Sequence, residues 1–121
     1  MKVWLQHSDF TEEEFALDLS STLRMIEDTD WLAELAELEK LARNNEEHCL
    51  PGLGIDHPKN RILHVCPNLS GAMVHYHYPK KVMGLFNTQK SRTFENLHQE
   101  QVVKFARAIF NEDWAAIENY A

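Results

Sequence analysis

Between residues 61 and 86 the chain reads RILHVCPNLSGAMVHYHYPKKVMGLF, and apolar and polar side chains alternate there with a period of two. That period suits a strand with one buried face; a helix repeats every 3.6 residues. The runs 61–66 and 72–78 are β-rich and flank Pro67-Asn68-Leu69-Ser70-Gly71, a turn composition. A two-residue turn at Leu69-Ser70 pairs Asn68 with Gly71. His64 then faces His75, Cys66 faces Met73, and Ile62 faces His77. Leu63, Val65, Val74 and Tyr76 fall on the other face, the natural core side. A slip by one residue mixes the two sets, which burial of a single face opposes. Tyr78-Pro79-Lys80-Lys81 reads as a second turn and 82–86 as a third strand. The product is a three-stranded antiparallel meander, which needs helices on one face to be stable.

Helices are available on both sides of it. Thr11-Glu12-Glu13-Glu14 has the form of a capping box, and Phe10 and Phe15 occupy the positions of a hydrophobic staple. With Phe15, Leu19, Thr22, Leu23 and Ile26 as its apolar stripe, a first helix is expected over 12–27. Asp28-Thr29-Asp30 interrupts it and caps a second helix. Trp31, Leu32, Leu35, Leu38, Leu41 and Ala42 form the apolar face of that second helix. Core packing is the first reading of this stripe, and a docking face for a partner helix is the other. Pro51, Gly52, Gly54 and Pro58 mark 46–60 as a loop, and 87–93 is polar and aperiodic, again a loop. Asn96 with Gln99 signals the start of a third helix carrying Val102, Phe105, Ala106 and Ile109 to about Phe110. Asn111 caps a last short helix that buries Trp114 and Ile117. A short strand at 2–6 is the remaining element. The expected fold is α+β, a single domain over 1–121. Two N-terminal helices, the meander and one or two C-terminal helices pack on one sheet face.

Charge divides the chain. Residues 1–58 carry four basic and fourteen acidic side chains, a balance of −10, while 59–121 carry eight basic and five acidic, a balance of +3. Between Lys59 and Arg92 there is no acid at all. A protein with net charge −7 lacks the broad positive field that duplex DNA requires. No apolar run approaches a membrane span, and the N-terminus shows no secretory pattern, so a cytoplasmic location and no membrane partner are expected. Cys49 and Cys66 fit no CxxC or disulfide-rich pattern and read as buried free thiols.

Three chemistries compete for the hairpin. His64, Cys66, His75 and His77 supply imidazole and thiolate donors on one face, the ligand types of zinc, and His48, Cys49 or His57 could complete the set. The same three hairpin histidines could serve as acid and base on a phosphoester. Arg61 and Lys80 would stabilise charge, while Tyr76 and Tyr78 stack bases of single-stranded RNA or a nucleotide. The third reading is a plain solvated sheet face. Asp56 beside His57 could orient a catalytic imidazole, and Glu12, Glu13, Glu14 and Asp18 could hold a cation. No Gly-rich phosphate loop, nucleophile elbow or carboxylate pair accompanies the hairpin. A non-enzymatic binding or regulatory protein is therefore preferred. Its acidic helical half, with Glu34 and Glu37, would contact a protein partner. The leucine-rich helix and an exposed strand edge leave room for a homodimer.

Overall fold

The computed structural model describes residues 1–68, 71–82 and 86–120, with the backbone alone for 81, 82, 86 and 87. Six antiparallel strands form one sheet: β1 (Lys2–Gln6), β2 (Glu12–Phe15), β3 (Gly52–His57), β4 (Arg61–Asn68), β5 (Gly71–Val82) and β6 (Phe86–Leu97), in the order β2-β1-β3-β4-β5-β6. Four helices accompany it: α1 (Leu19–Asp28), α2 (Trp31–Arg43), α3 (Gln99–Phe110) and α4 (Trp114–Glu118). The chain is α+β, but the expected three-stranded meander flanked by N-terminal helices is overturned.

The β4–β5 hairpin has the register that alternation demands, with Asn68 opposite Gly71, Cys66 opposite Met73, His64 opposite His75 and Ile62 opposite His77. Leu63, Val65, Val74 and Tyr76 are buried on its other face. The turn expected at Leu69-Ser70 lies outside the described residues. The turn expected at 78–81 is replaced by continuous strand, because β5 runs through Pro79 to Val82. Proline is tolerated there since Pro79 lies beyond the last β4 pair, Ile62 with His77, and is paired only with Gln89 of the edge strand β6. The expected third strand therefore does not form as one element: Val82 closes β5, Phe86 opens β6, and 83–85 lie outside the described residues.

Two segments expected to be loops are strands. Residues 52–57 form β3, paired on both sides. A Cβ at Gly54 would sit 1.9 Å from Trp4 Cζ2, and one at Gly52 would sit 2.8 Å from His64 Nε2. The glycines are thus close-approach positions over which neighbouring rings lie. Residues 87–93 belong to the edge strand β6, whose polar composition suits an edge. Asn96 is a β6 residue at φ 57°, next to a register shift against β5. Helix α3 starts instead at His98, whose N–H donates to Gln101 Oε1 (2.8 Å).

The first expected helix also divides. Phe10 turns at φ 71°, His7 N donates to Thr11 O (2.8 Å), and the Thr11 hydroxyl donates to Asp9 instead of capping a helix. Residues 12–15 then pair with β1, and α1 begins at Leu19 with Asp18 Oδ1 accepting from Ser21 N (2.8 Å). Asn111 ends α3, and Asp113 precedes α4.

The core lies between one sheet face and the helices. Val3, Leu53, Ile55, Leu63, Val74 and Tyr76 meet Ile26 of α1, Val102, Phe105, Ala106 and Ile109 of α3, and Ile117 of α4. The opposite sheet face carries Trp4, His64, His75 and Thr93 in one cross-strand row.

Candidate interaction surface

Helix α2 forms for local reasons. Asp30 Oδ1 accepts from Ala33 N (3.0 Å), the interior is Leu, Ala and Glu, and Glu34 and Lys40/Arg43 match the macrodipole at its two ends. Its apolar stripe does not do what was expected of it. Only Leu41 is fully buried, and Trp31 packs on the rim of the core. Leu32 is 72% exposed, and Leu35 and Leu38 are half-buried without joining the core cluster. Among the described residues no strand or helix packs extensively on α2.

Leu35, Leu38, Glu39 and Ala42 instead line one wall of a groove of about 450 Å³; His48, Cys49 and Leu50 line the other. Leu50 stands at its lip, 50% exposed. Both walls are anchored to the same residue. His7 Nδ1 lies 2.7 Å from Glu34 Oε1 and Nε2 lies 2.9 Å from Glu13 Oε2, so both bonds form together only when each ring nitrogen carries a proton. The hydrogen bond to Glu13 raises its pKa, burial opposes this, and the bond to Glu34 raises it further. On the other wall Cys49 Sγ donates to the His7 carbonyl (3.2 Å), Gln6 Nε2 donates to Cys49 Sγ (2.9 Å), and Cys49 N donates to Ser8 O (2.9 Å).

Of the two acids singled out from the sequence, Glu34 is engaged by His7 and Glu37 is exposed. From Glu27 to Glu47 the chain carries eight acids and two bases. Among the described residues no ion pair links these acids to the basic stretch 59–92.

The basic stretch is spent partly on the fold. The Arg61 guanidinium lies 4.1 Å from the centre of the Trp114 ring, and Lys59 pairs with Glu112 (2.6 Å). Arg92 donates to the carbonyls of Ile117, Glu118 and Tyr120 at the end of α4. Tyr76 is fully buried and stacks on Tyr78 at 5.1 Å, so its ring is not presented to a base. Among the described residues its hydroxyl makes no hydrogen bond of good geometry, although the Arg61 side chain lies close enough to act on it. Burial pushes that phenol up to about 12, the Glu118 charge adding to the shift and Arg61 opposing it. Lys80 is exposed.

The histidines share the uncovered face as expected. His64 and His75 ring centres are 6.3 Å apart, Cys66 Sγ is 3.8 Å from His64 Nε2, and His75 Nδ1 is 3.1 Å from Thr93 Oγ1. Burial lowers the His64 pKa, helped by His75 and His77. Burial, helped by Cys49, pushes the Cys66 thiol up to about 11, which leaves little thiolate to act as a nucleophile. Among the described residues no group of three His, Cys, Asp or Glu side chains converges to hold a metal ion. Asp56 and His57 are successive residues of β3 and point to opposite faces, so they do not pair. His57 packs edge-on against Trp114 and accepts from Lys59 N through Nδ1 (3.0 Å). The acids at the first expected helix start are dispersed: Glu13 goes to His7, Glu14 pairs with Lys2 (2.9 Å), and Asp18 caps α1.

Leu32 and Leu50 are the surface residues that sequence reasoning did not single out as a pair. The stripe on α2 was legible, but its orientation away from the core was not. Leu50 sits in a segment without periodicity. No helix among the described residues is long and apolar enough to cross a membrane. No family model matches the sequence, and no match was found among curated proteins or solved structures.

Proposed function

We propose that this chain is a small cytoplasmic binding or regulatory protein whose acidic helical half contacts a basic protein partner. One observation carries the reading. A leucine stripe on α2 stands outside the core, amid acids that form no ion pair with the 59–92 stretch among the described residues. Exposed apolar surface rimmed by charge is the composition of a protein-contact site. The acidic field would speed encounter with a basic partner and make association sensitive to salt.

The test is charge reversal at two exposed positions, Glu37→Lys with Glu39→Lys. Glu34 is avoided because its loss would also break the His7 bond. A cognate partner should bind the wild type in a salt-dependent manner and the variant at least about tenfold more weakly, a difference of about 1.4 kcal/mol. Equal binding to both proteins would remove the acidic half from the contact.

A further inference from the structure

We infer that the groove between α2 and residues 48–50 seats a basic amphipathic helix of the partner, with aliphatic side chains packed between Leu35, Leu38 and Leu50. This rests on the protein-binding reading above and specifies its occupant.

Spacing makes the groove a helix seat. Leu32, Leu35, Leu38 and Ala42 recur at the three- and four-residue steps of one helix face. From Leu32 to Ala42 this stripe runs about 15 Å along the thirteen-residue helix. Leu50 rises opposite it, so an inserted side chain is flanked on two sides. An extended segment suits this place poorly. It would need backbone partners, and a helix surface has none to give, whereas a helix satisfies its own N–H and C=O groups.

Charge selects the occupant. The rim carries Glu37, Glu39, Glu46 and Glu47, all exposed, against Lys40 and Arg43. A second copy of this chain would bring the same acids to the same seam, and like charges across an interface oppose pairing. A nucleic acid is repelled for the same reason. A helix with leucines on one face and lysines or arginines beside them meets both requirements.

The probe is a Leu/Lys amphipathic peptide of about 18 residues, long enough to cover α2. A Leu/Glu peptide of identical apolar pattern and a scrambled Leu/Lys peptide with no apolar face serve as comparisons. The Leu/Lys peptide should bind with Kd of order 10 μM and the other two at least about tenfold more weakly. Leu32→Asp and Leu50→Asp, both at exposed positions, should each weaken binding about tenfold or more while the melting temperature stays in place. Equal binding of the Leu/Glu or the scrambled peptide would overturn the inference, as would undiminished binding by both Asp variants. A dimer in sedimentation that Leu32→Asp dissociates would also overturn it, by making the second copy the occupant. A cognate partner lost on charge reversal but indifferent to Leu32→Asp and Leu50→Asp would leave the protein-binding reading standing and remove the helix. A partner indifferent to all of these changes would remove both.

Discussion

Protonation of His7 should set how firmly the groove is held. Its imidazole bridges Glu13 of β2 and Glu34 of α2, and both ring nitrogens face carboxylate oxygens, so the bridge is complete only in the cationic form. The folded pKa is raised above the ordinary value of about 6.5. A group raised on folding contributes its stability in full below the unfolded pKa and loses it as pH rises through the folded one. The hydrogen bond to Glu13 is the larger cause of the raised pKa, but the Glu13 side chain is 57% exposed against 20% for Glu34, so solvent screening discounts the Glu13 share of the stability. A charge-assisted bond in partial shelter is worth about 1.5–2 kcal/mol, and the exposed pair adds about 0.5 kcal/mol or less. His7→Gln keeps one hydrogen-bonding group and removes the charge. It should cost about 1–2 kcal/mol in urea unfolding near pH 6 and progressively less as pH rises through the raised folded pKa. His57 and His64 have lowered pKa values and push stability in the opposite sense, so the difference between wild type and variant isolates His7. Amide exchange should report the same event locally, with α2 losing protection at high pH in the wild type and at all pH values in the variant. Parallel pH profiles for the two proteins would refute the reasoning.

Other consequences are independent of the groove. Gly54→Ala places a methyl on the Trp4 ring and should cost about 2–3 kcal/mol, with part of that recovered when Trp4 is also cut back to Ala; additive losses would mean that the ring does not lie over β3. Tyr76→Phe removes a buried hydroxyl that makes no well-formed hydrogen bond among the described residues and should be neutral or stabilising by up to about 1 kcal/mol in thermal unfolding, whereas a clear loss would show that the nearby Arg61 bonds it. In a thiol-reagent assay near pH 8, Cys66, buried with its pKa at about 11, should react only on unfolding; rapid labelling of Cys66 in the native protein would contradict this burial.

What the sequence disclosed and what it concealed follow from one distinction. Alternation reports which side chains share a face, so the β4–β5 register and the buried set Leu63, Val65, Val74 and Tyr76 were readable. Helical periodicity likewise revealed α2 and its stripe. Neither pattern reports what a face will meet. The α2 stripe looks like core in the sequence and stands outside it in the fold. Glycines misled in the other direction. Gly52 and Gly54 read as breakers, yet in β3 their missing side chains make room for Trp4 and His64. Thr11 to Glu14 satisfies a capping pattern, but four residues are weak evidence against a neighbouring strand, and pairing with β1 prevails. Polar residues 87–93 lack the alternation of a half-buried strand because an edge strand buries little. The acid-free window was readable as a charge block.

The central claim is that the leucine stripe of α2 is a docking face. Backbone amide shift mapping during titration with the Leu/Lys peptide tests it most directly. Perturbations should concentrate on Trp31–Arg43, on residues 48–50 and on His7, which is tied to both walls. Perturbations confined to the uncovered sheet face around Trp4, His64, His75 and His77, with α2 unmoved, would contradict the account.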